Sequence, residues 1–300
     1  MNTADKLKYK LQTANVVEKL IAINVLVFIL LFLIKTIEFL FKMPSDFLMS
    51  WLVFPKDPGE FLFKPWSIIT YSFLHSGIWH ILSNMLILYY AGTYFLNYFA
   101  AKKLLTFYFL GVIFGALVYM LSYNLFPAFE ATGKSYLLGA SAGVMAVLVG
   151  IATHIPDMRI RLMFIGSIKF WYIAAFLVVL DVIQIPFGNA GGHFAHLGGA
   201  LLGFVYTKQL AKGNDIGAGF GRAIDWFLSL FEAKKDRKPK MRTVYKKPQS
   251  STAKTSASRK ISKDEKQQKI DSILDKISKS GYDSLTKQEK DFLFHAGKEN

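Results

Sequence analysis

The chain contains no cysteine, which excludes a disulfide framework, a thiolate-ligated zinc or cluster site, and thiol catalysis. Acidic residues are also scarce beside basic ones: 21 Asp and Glu stand against 36 Lys and Arg, a formal net charge of +15. Such an excess invites a nucleic-acid reading, but its distribution argues against one. Residues 211–300 carry 21 Lys and Arg against 12 Asp and Glu, and residues 1–210 carry 15 against 9. In the apolar part the cations sit between long hydrophobic stretches, as membrane topology requires, so no nucleic-acid partner is expected. Nor is a cleavable leader expected. Lys6, Lys8 and Lys10 precede an apolar run that is too long and has no small-residue cleavage site, so the run is expected to stay as an anchor.

What is abundant is apolar. The composition is 52% hydrophobic with 27 Phe and 14 Tyr, concentrated in the first two thirds. Six stretches, at about 17–42, 76–100, 104–127, 140–155, 170–188 and 192–209, approach the roughly 20 residues that one crossing needs. Lys102 and Lys103, then Arg159, Arg161 and Lys169, then a dense basic run after the sixth stretch occupy alternate connections. The other connections are poor in cations, so both termini are expected in the cytoplasm. The expectation is an all-α, multi-pass integral membrane protein, a six-helix bundle over 17–210 in a bacterial inner membrane, with residues 1–16 and a C-terminal tail in the cytoplasm.

The tail divides in three. Residues 211–235 form a juxtamembrane segment with an amphipathic helix at 218–233, whose Phe220, Ile224, Phe227, Leu228 and Phe231 share one face suited to the inner leaflet. Residues 236–261 read as a basic, disordered linker with Pro239 and Pro248. Residues 262–300 read as a small helical hairpin, with capping boxes at Ser262/Glu265 and Thr286/Glu289 and an apolar stripe of Ile270, Ile273, Leu274 and Ile277. Gly281 is expected to end its first helix. So short a stripe buries little, which suits a docking module for a cytoplasmic partner better than a second enzyme domain.

Ionisable and polar side chains inside a bilayer are costly, and each requires a reason. Gly139-Ala140-Ser141-Ala142-Gly143 opens the fourth stretch; a serine there lies at the positive end of a short helix, or merely fills space in small-residue packing. In His193-Phe194-Ala195-His196-Leu197-Gly198-Gly199, the residues His196, Gly199 and Gly203 share a face. Pressed against the residues beside Ser141, that face brings an imidazole to a hydroxyl it can deprotonate; the plainer reading is a histidine bonded to a neighbouring helix. His80 and Asn84 lie one turn apart in the second stretch and carry donors able to hold an oxyanion, or act as packing glue. His75 lies just outside that helix. Asp181, with Gln184 nearly a turn on, is read as capping a polar network or facing water, orientation of a histidine being the alternative. A metal enzyme built on His75, His80, His193 and His196 lacks the acidic ligand or tight spacing such sites use, so neither metal nor cofactor is expected.

Together these motifs resemble the rhomboid intramembrane proteases over about residues 17–210. His75, His80 and Asn84 match the family's second span, Gly139-Ala140-Ser141 its fourth, and Ala195-His196 with Gly199 and Gly203 its sixth; Trp66 resembles an aromatic of its first loop. Ala142, Met145 and Ser67 depart from residues common at those places. The resemblance implies a water-filled cavity in a six-helix bundle and peptide hydrolysis within it. Ser141 would be nucleophile and His196 general base, with His80, Asn84 and the Ser141 N–H holding the oxyanion. It also implies single-span membrane proteins as substrates, cut within or near their transmembrane segment. A non-catalytic scaffold that binds membrane helices is the alternative.

Overall fold

The computed structural model describes residues 13–43, 47–162, 166–230 and 258–298, besides Asn2, Asp5 and Tyr9. They fall into two units, residues 1–235 and residues 236–300. In the first, α-helices occupy all six stretches read as spans: α1 is Val16–Leu40, and after a short helix α2 (Phe47–Leu52), a strand β1 (Phe54–Pro55) and two short helices α3 (Pro58–Phe63) and α4 (Ser67–Thr70) come α5 (Ile78–Leu96) and α6 (Ala101–Leu125). A second strand β2 (Tyr136–Leu137) leads into α7 (Ser141–His154), a β-hairpin of β3 (Arg159–Leu162) and β4 (Gly166–Lys169), then α8 (Phe170–Gln184), α9 (Ala190–Ala211) and α10 (Ala218–Ser229). The sequence reading gave the 155–170 connection no structure. The antiparallel hairpin there pairs Arg159 with Lys169 and Leu162 with Gly166.

Three helices, Val16–Leu40, Ala101–Leu125 and Phe170–Phe187, are long and apolar enough to cross a membrane. Helix α1 begins at a capping box in which the Asn15 side chain accepts from the Val17 and Glu18 amides while Glu18 accepts from the Asn15 N–H. Beyond it, Leu26, Leu30, Leu33 and Ile37 are all half exposed or more, a surface that lipid accepts and water does not.

Helix α7 is the centre. Most of its residues from Ala142 to Ala152 are buried, so it faces protein nearly all round. Its 14 residues rise only about 21 Å against a hydrocarbon core of about 30 Å. A helix that short does not reach across such a core. It is packed through small residues on both neighbours. A Cβ on Gly199 would fall 2.1 Å from the Ala142 carbonyl oxygen, and one on Gly203 would fall 2.3 Å from that of Ala146. From α6, Gly111 and Gly115 press equally close to the Ala146 and Ala142 side chains. Without a hydrophobic drive between helices in lipid, close backbone approach is what holds them.

Helix α10 places Phe220, Ala223, Ile224 and Phe227 along an apolar cleft of about 590 Å³ that Val16, Leu20 and Leu105 also line. Ion pairs tie this segment to α6: Lys102 pairs with Asp225, and Lys103 pairs with Asp215, which also accepts from the Tyr206 hydroxyl. The Leu228 side chain and Phe231 lie outside the described residues.

In the second unit, α11 (Ser258–Ser280) and α12 (Lys287–Lys298) form the expected hairpin. Gly281 ends α11 at φ +76°, and Thr286 and Glu289 form the expected box. The backbone N–H of Thr286 holds the Glu289 carboxyl down at about 2, with Lys276 assisting. Two expectations fail. The helix starts at Ser258, so Ser262 lies within it and the linker's last residues are helical; and Leu274 is half exposed, Ile273 being the buried member of the stripe. The remainder of the expected linker lies outside the described residues.

Gly199→Ala is expected to destabilise the bundle by about 2–3 kcal/mol through overpacking. Gly133, with nothing near its Cβ position, is the control, and Gly133→Ala should stay within about 0.5 kcal/mol. Thermal unfolding in detergent measures both; equal midpoints would contradict the close contact of α7 and α9.

Candidate active site

Ser141 is the first residue of α7, following Ala140 in helical conformation with no side-chain cap. The first amide of this turn with a helical acceptor is that of Val144, bonded to the Ala140 carbonyl at 3.0 Å. The amides of Ser141, Ala142 and Gly143 are thus the unpaired donors at the positive end of the helix dipole. The approach to this end is fixed by Gly139, whose N–H donates to the Tyr71 carbonyl at 3.0 Å and whose φ is +123°. The β1–β2 ladder, Phe54 with Leu137 and Pro55 with Tyr136, holds the same segment from the other side.

His80 of α5 packs onto that glycine. The Cβ position of Gly139 lies 2.8 Å from His80 Nε2 and 3.5 Å from Ser141 Oγ, so the imidazole and the hydroxyl line one small space. His80 Nδ1 meets the Ser76 hydroxyl at 3.1 Å, and its ring is packed edge-on against His75 at 5.0 Å. Asn84 gives one amide hydrogen to the His80 carbonyl at 2.9 Å, which leaves its second to give. His75 is buried, and neither ring nitrogen makes a hydrogen bond of ordinary geometry, the Phe73 backbone offering only a weak contact. Burial, then the charge of His80, lowers its pKa to about 4; it is neutral at physiological pH and serves to support the His80 ring.

His196 comes from α9, one turn before Gly199, the glycine that packs on Ala142 next to Ser141. It lies close enough to His80 for their charges to interact. Its Nδ1 is 2.8 Å from Oδ1 of Asp181, and His193 Nδ1 is 2.8 Å from the same oxygen. An ionised carboxylate only accepts, so each Nδ1 carries the hydrogen and each Nε2 is left as a base. Among the described residues Ser141 Oγ makes no hydrogen bond.

The fold thus brings His80 to Gly139 and Ser141, Asn84 to His80, and α9, which carries His196, onto the first turn of α7. Asp181 was expected to cap a polar network or face water; the network it joins is a pair of histidines. The sequence carried a signal for this, since a carboxylate in an apolar helix must find donors, but nothing in the spacing chose the partners. Asp181, His193 and His196 could also hold a metal, their ligand atoms lying within 4.8 Å of one another. The two separations of 2.8 Å are hydrogen-bond contacts, however; nitrogen and oxygen ligands on one zinc stand about 3.3 Å apart.

A family profile described as the Rhomboid domain matches residues 63–213. The chain belongs to the rhomboid family. Similar proteins include RHOMBOID-like protein 12, mitochondrial, of Arabidopsis thaliana, 31% identical over 158 residues, covering 49% of this chain and 47% of that one. Rhomboid protein 1, mitochondrial, of Saccharomyces cerevisiae is 30% identical over 209 residues, covering 68% and 56%. The presenilin-associated rhomboid-like protein, mitochondrial, of Rattus norvegicus is 29% identical over 191 residues, covering 62% and 46%. The rhomboid spans about half the length of these curated relatives. All three names are mitochondrial, so the expectation of a bacterial inner membrane finds no support among them. A family of unknown function matches residues 260–295, the hairpin of the second unit.

Gly139→Ala puts a methyl group into the His80 ring at a positive φ, and a misplacement near 1 Å is expected to reduce serine reactivity by about 10²-fold. Fluorophosphonate labelling of Ser141 reads this directly. Labelling equal to that of Gly133→Ala would show that the Gly139 turn does not set the site.

Proposed function

We propose that this rhomboid is a six-span intramembrane serine endopeptidase with both termini in the cytoplasm. It cleaves single-span, membrane-anchored proteins within or near their transmembrane segment. The observation that carries the reading is the meeting of two helices at one point: a serine at the unpaired, positive start of α7, and a histidine on α9 whose Nδ1 is tied to a carboxylate, joined by the Gly199–Ala142 contact.

In this reading His196 Nε2 takes the Ser141 proton as Oγ attacks the scissile carbonyl. The oxyanion that forms lies at the start of α7, where the Ser141 N–H, His80 and the free hydrogen of Asn84 can donate to it. His196 then returns the proton to the leaving amine, and water hydrolyses the acyl-enzyme by the same route. The short α7 supports a site below the membrane surface, and a site there needs a water-filled recess. A substrate helix must unwind locally to present a carbonyl, which favours segments with helix-breaking residues. The α11–α12 hairpin is proposed to bind a cytoplasmic partner.

Purified protein with a single-span substrate in proteoliposomes tests this. Ser141→Ala is expected to abolish cleavage while inserting normally, and His80→Ala to lower kcat by about 10²-fold, the usual loss for one oxyanion donor. Full cleavage by Ser141→Ala overturns the assignment. A wild-type protein that neither cleaves nor takes up a fluorophosphonate favours the scaffold alternative.

A further inference from the structure

Three groups that the proposed reaction does not use, Asp181, His193 and the turn between their helices, are arranged around the one imidazole that it does use. Helix α8 is otherwise a lipid-facing element: Val179, Val182 and Ile183 are each more than half exposed, whereas Asp181 among them is buried at 7%. The turn after α8 has two residues at positive φ, Gly188 at +125° and Asn189 at +48°, and it reverses the chain so that His193 and His196 come back onto Asp181. Both imidazoles then donate through Nδ1 to the same Oδ1, each at 2.8 Å.

We infer that Asp181 is a positioning residue for His196, and that His193 holds the Asp181 carboxylate in place to do so. The inference rests on the catalytic reading of Ser141 and His196. Its physical content is threefold. The carboxylate fixes the His196 tautomer with hydrogen on Nδ1, which keeps Nε2 open for the Ser141 proton. It also stabilises the imidazolium that forms once that proton moves. The second donor, His193, satisfies a buried charge that one histidine alone would leave half-paired, and it stops the carboxylate from turning toward lipid or water. The titratable groups that face His196 are Asp181 from α8, His193 from its own helix and His80 from α5, with His75 behind His80. On the α6 side, Tyr119 and Tyr123 pack on Gly191, nearer the start of α9.

The pH dependence of kcat/KM separates positioning from mere support. Removing a facing carboxylate withdraws support from the protonated imidazole, so Asp181→Asn should move the acid limb of the profile to lower pH. It should also lower kcat about 10- to 100-fold with KM within about twofold. Asp181→Glu restores the charge and should return the limb toward the wild-type position even where kcat stays low. His193→Ala leaves the Asp181–His196 contact and should shift the limb the same way by less, and it carries the test if Asp181→Asn does not accumulate. An unchanged limb and kcat in these variants, with Ser141→Ala inactive, would overturn the inference and leave the protease reading intact. Loss of wild-type activity to a chelator, with recovery on zinc, would overturn it as well by making the three residues a metal site. Cleavage by Ser141→Ala would instead bring down the reading on which the inference rests.

Discussion

The contact between Gly199 and the Ala142 carbonyl is the constraint on which the rest of this molecule depends. Lipid tails are as apolar as leucine, so a bundle in a membrane gains little from hiding apolar side chains from its surroundings and must gain instead from packing and from polar pairs. Two backbones that nearly touch supply the first. With Gly203 repeating the approach a turn later against Ala146, and Gly111 and Gly115 doing the same from α6, α7 is gripped on two sides along its length. The consequence is chemical. Because α9 cannot slide or roll against α7 without driving a Cα into a carbonyl, His196 is held in register with Ser141 by positions that carry no chemistry themselves.

The second source of stability is polar, and each buried polar group has its own solution. Asn24 and Asn84 turn to carbonyls one helical turn back, an economical bond that leaves the rest of the amide to other uses. Asp181 finds two imidazoles. Tyr71 reaches across to the Val112 carbonyl at 2.7 Å, which ties the loop bearing Gly139's acceptor to α6. Among the described residues the His75 ring and the Ser67 hydroxyl are exceptions, with no hydrogen bond of ordinary geometry, and burial keeps His75 uncharged. In the proposed reaction a neutral ring beneath His80 adds no second cation to compete with the imidazolium of His196.

Much of this was legible in the sequence because the membrane simplifies the code. Apolar length fixed where helices lie, and the six read from hydropathy are helices to within a few residues. The glycine face of α9 was legible from the i, i+3, i+7 spacing of His196, Gly199 and Gly203, since only a shared face can be pressed against a neighbour. The opposing glycines of α6, Gly111 and Gly115, passed unnoticed because small residues in an apolar helix have no direction until a partner is known. The β3–β4 hairpin escaped for a related reason: four-residue strands carry too little alternation to stand out between long helices. In the tail, Ser262 looked like a cap because Glu265 followed it, yet the polar run before it is equally able to form helix, and the start at Ser258 obeys that propensity rather than the local motif. The ties of Lys102 to Asp225 and of Lys103 to Asp215 join segments over a hundred residues apart, which no local pattern announces.

Asp181 shows the limit most clearly. From the sequence it was one carboxylate in an apolar helix, with six histidines elsewhere to choose among. Energetics required a donor and could not say which. The turn at Gly188 and Asn189 made the choice by folding α9 back along α8, and it gave the carboxylate two donors of the same kind at equal distance. A single donor would have balanced the hydrogen bonding of one oxygen while leaving a buried negative charge free to pull protons or water into the bundle. Two imidazoles spread that charge over a network that can accept one more proton at His196 without a net cation appearing in the membrane. The helix contact brings α9 and its histidine to the start of α7; in the proposed reaction the carboxylate would make it tolerable for that imidazole, once charged, to remain there.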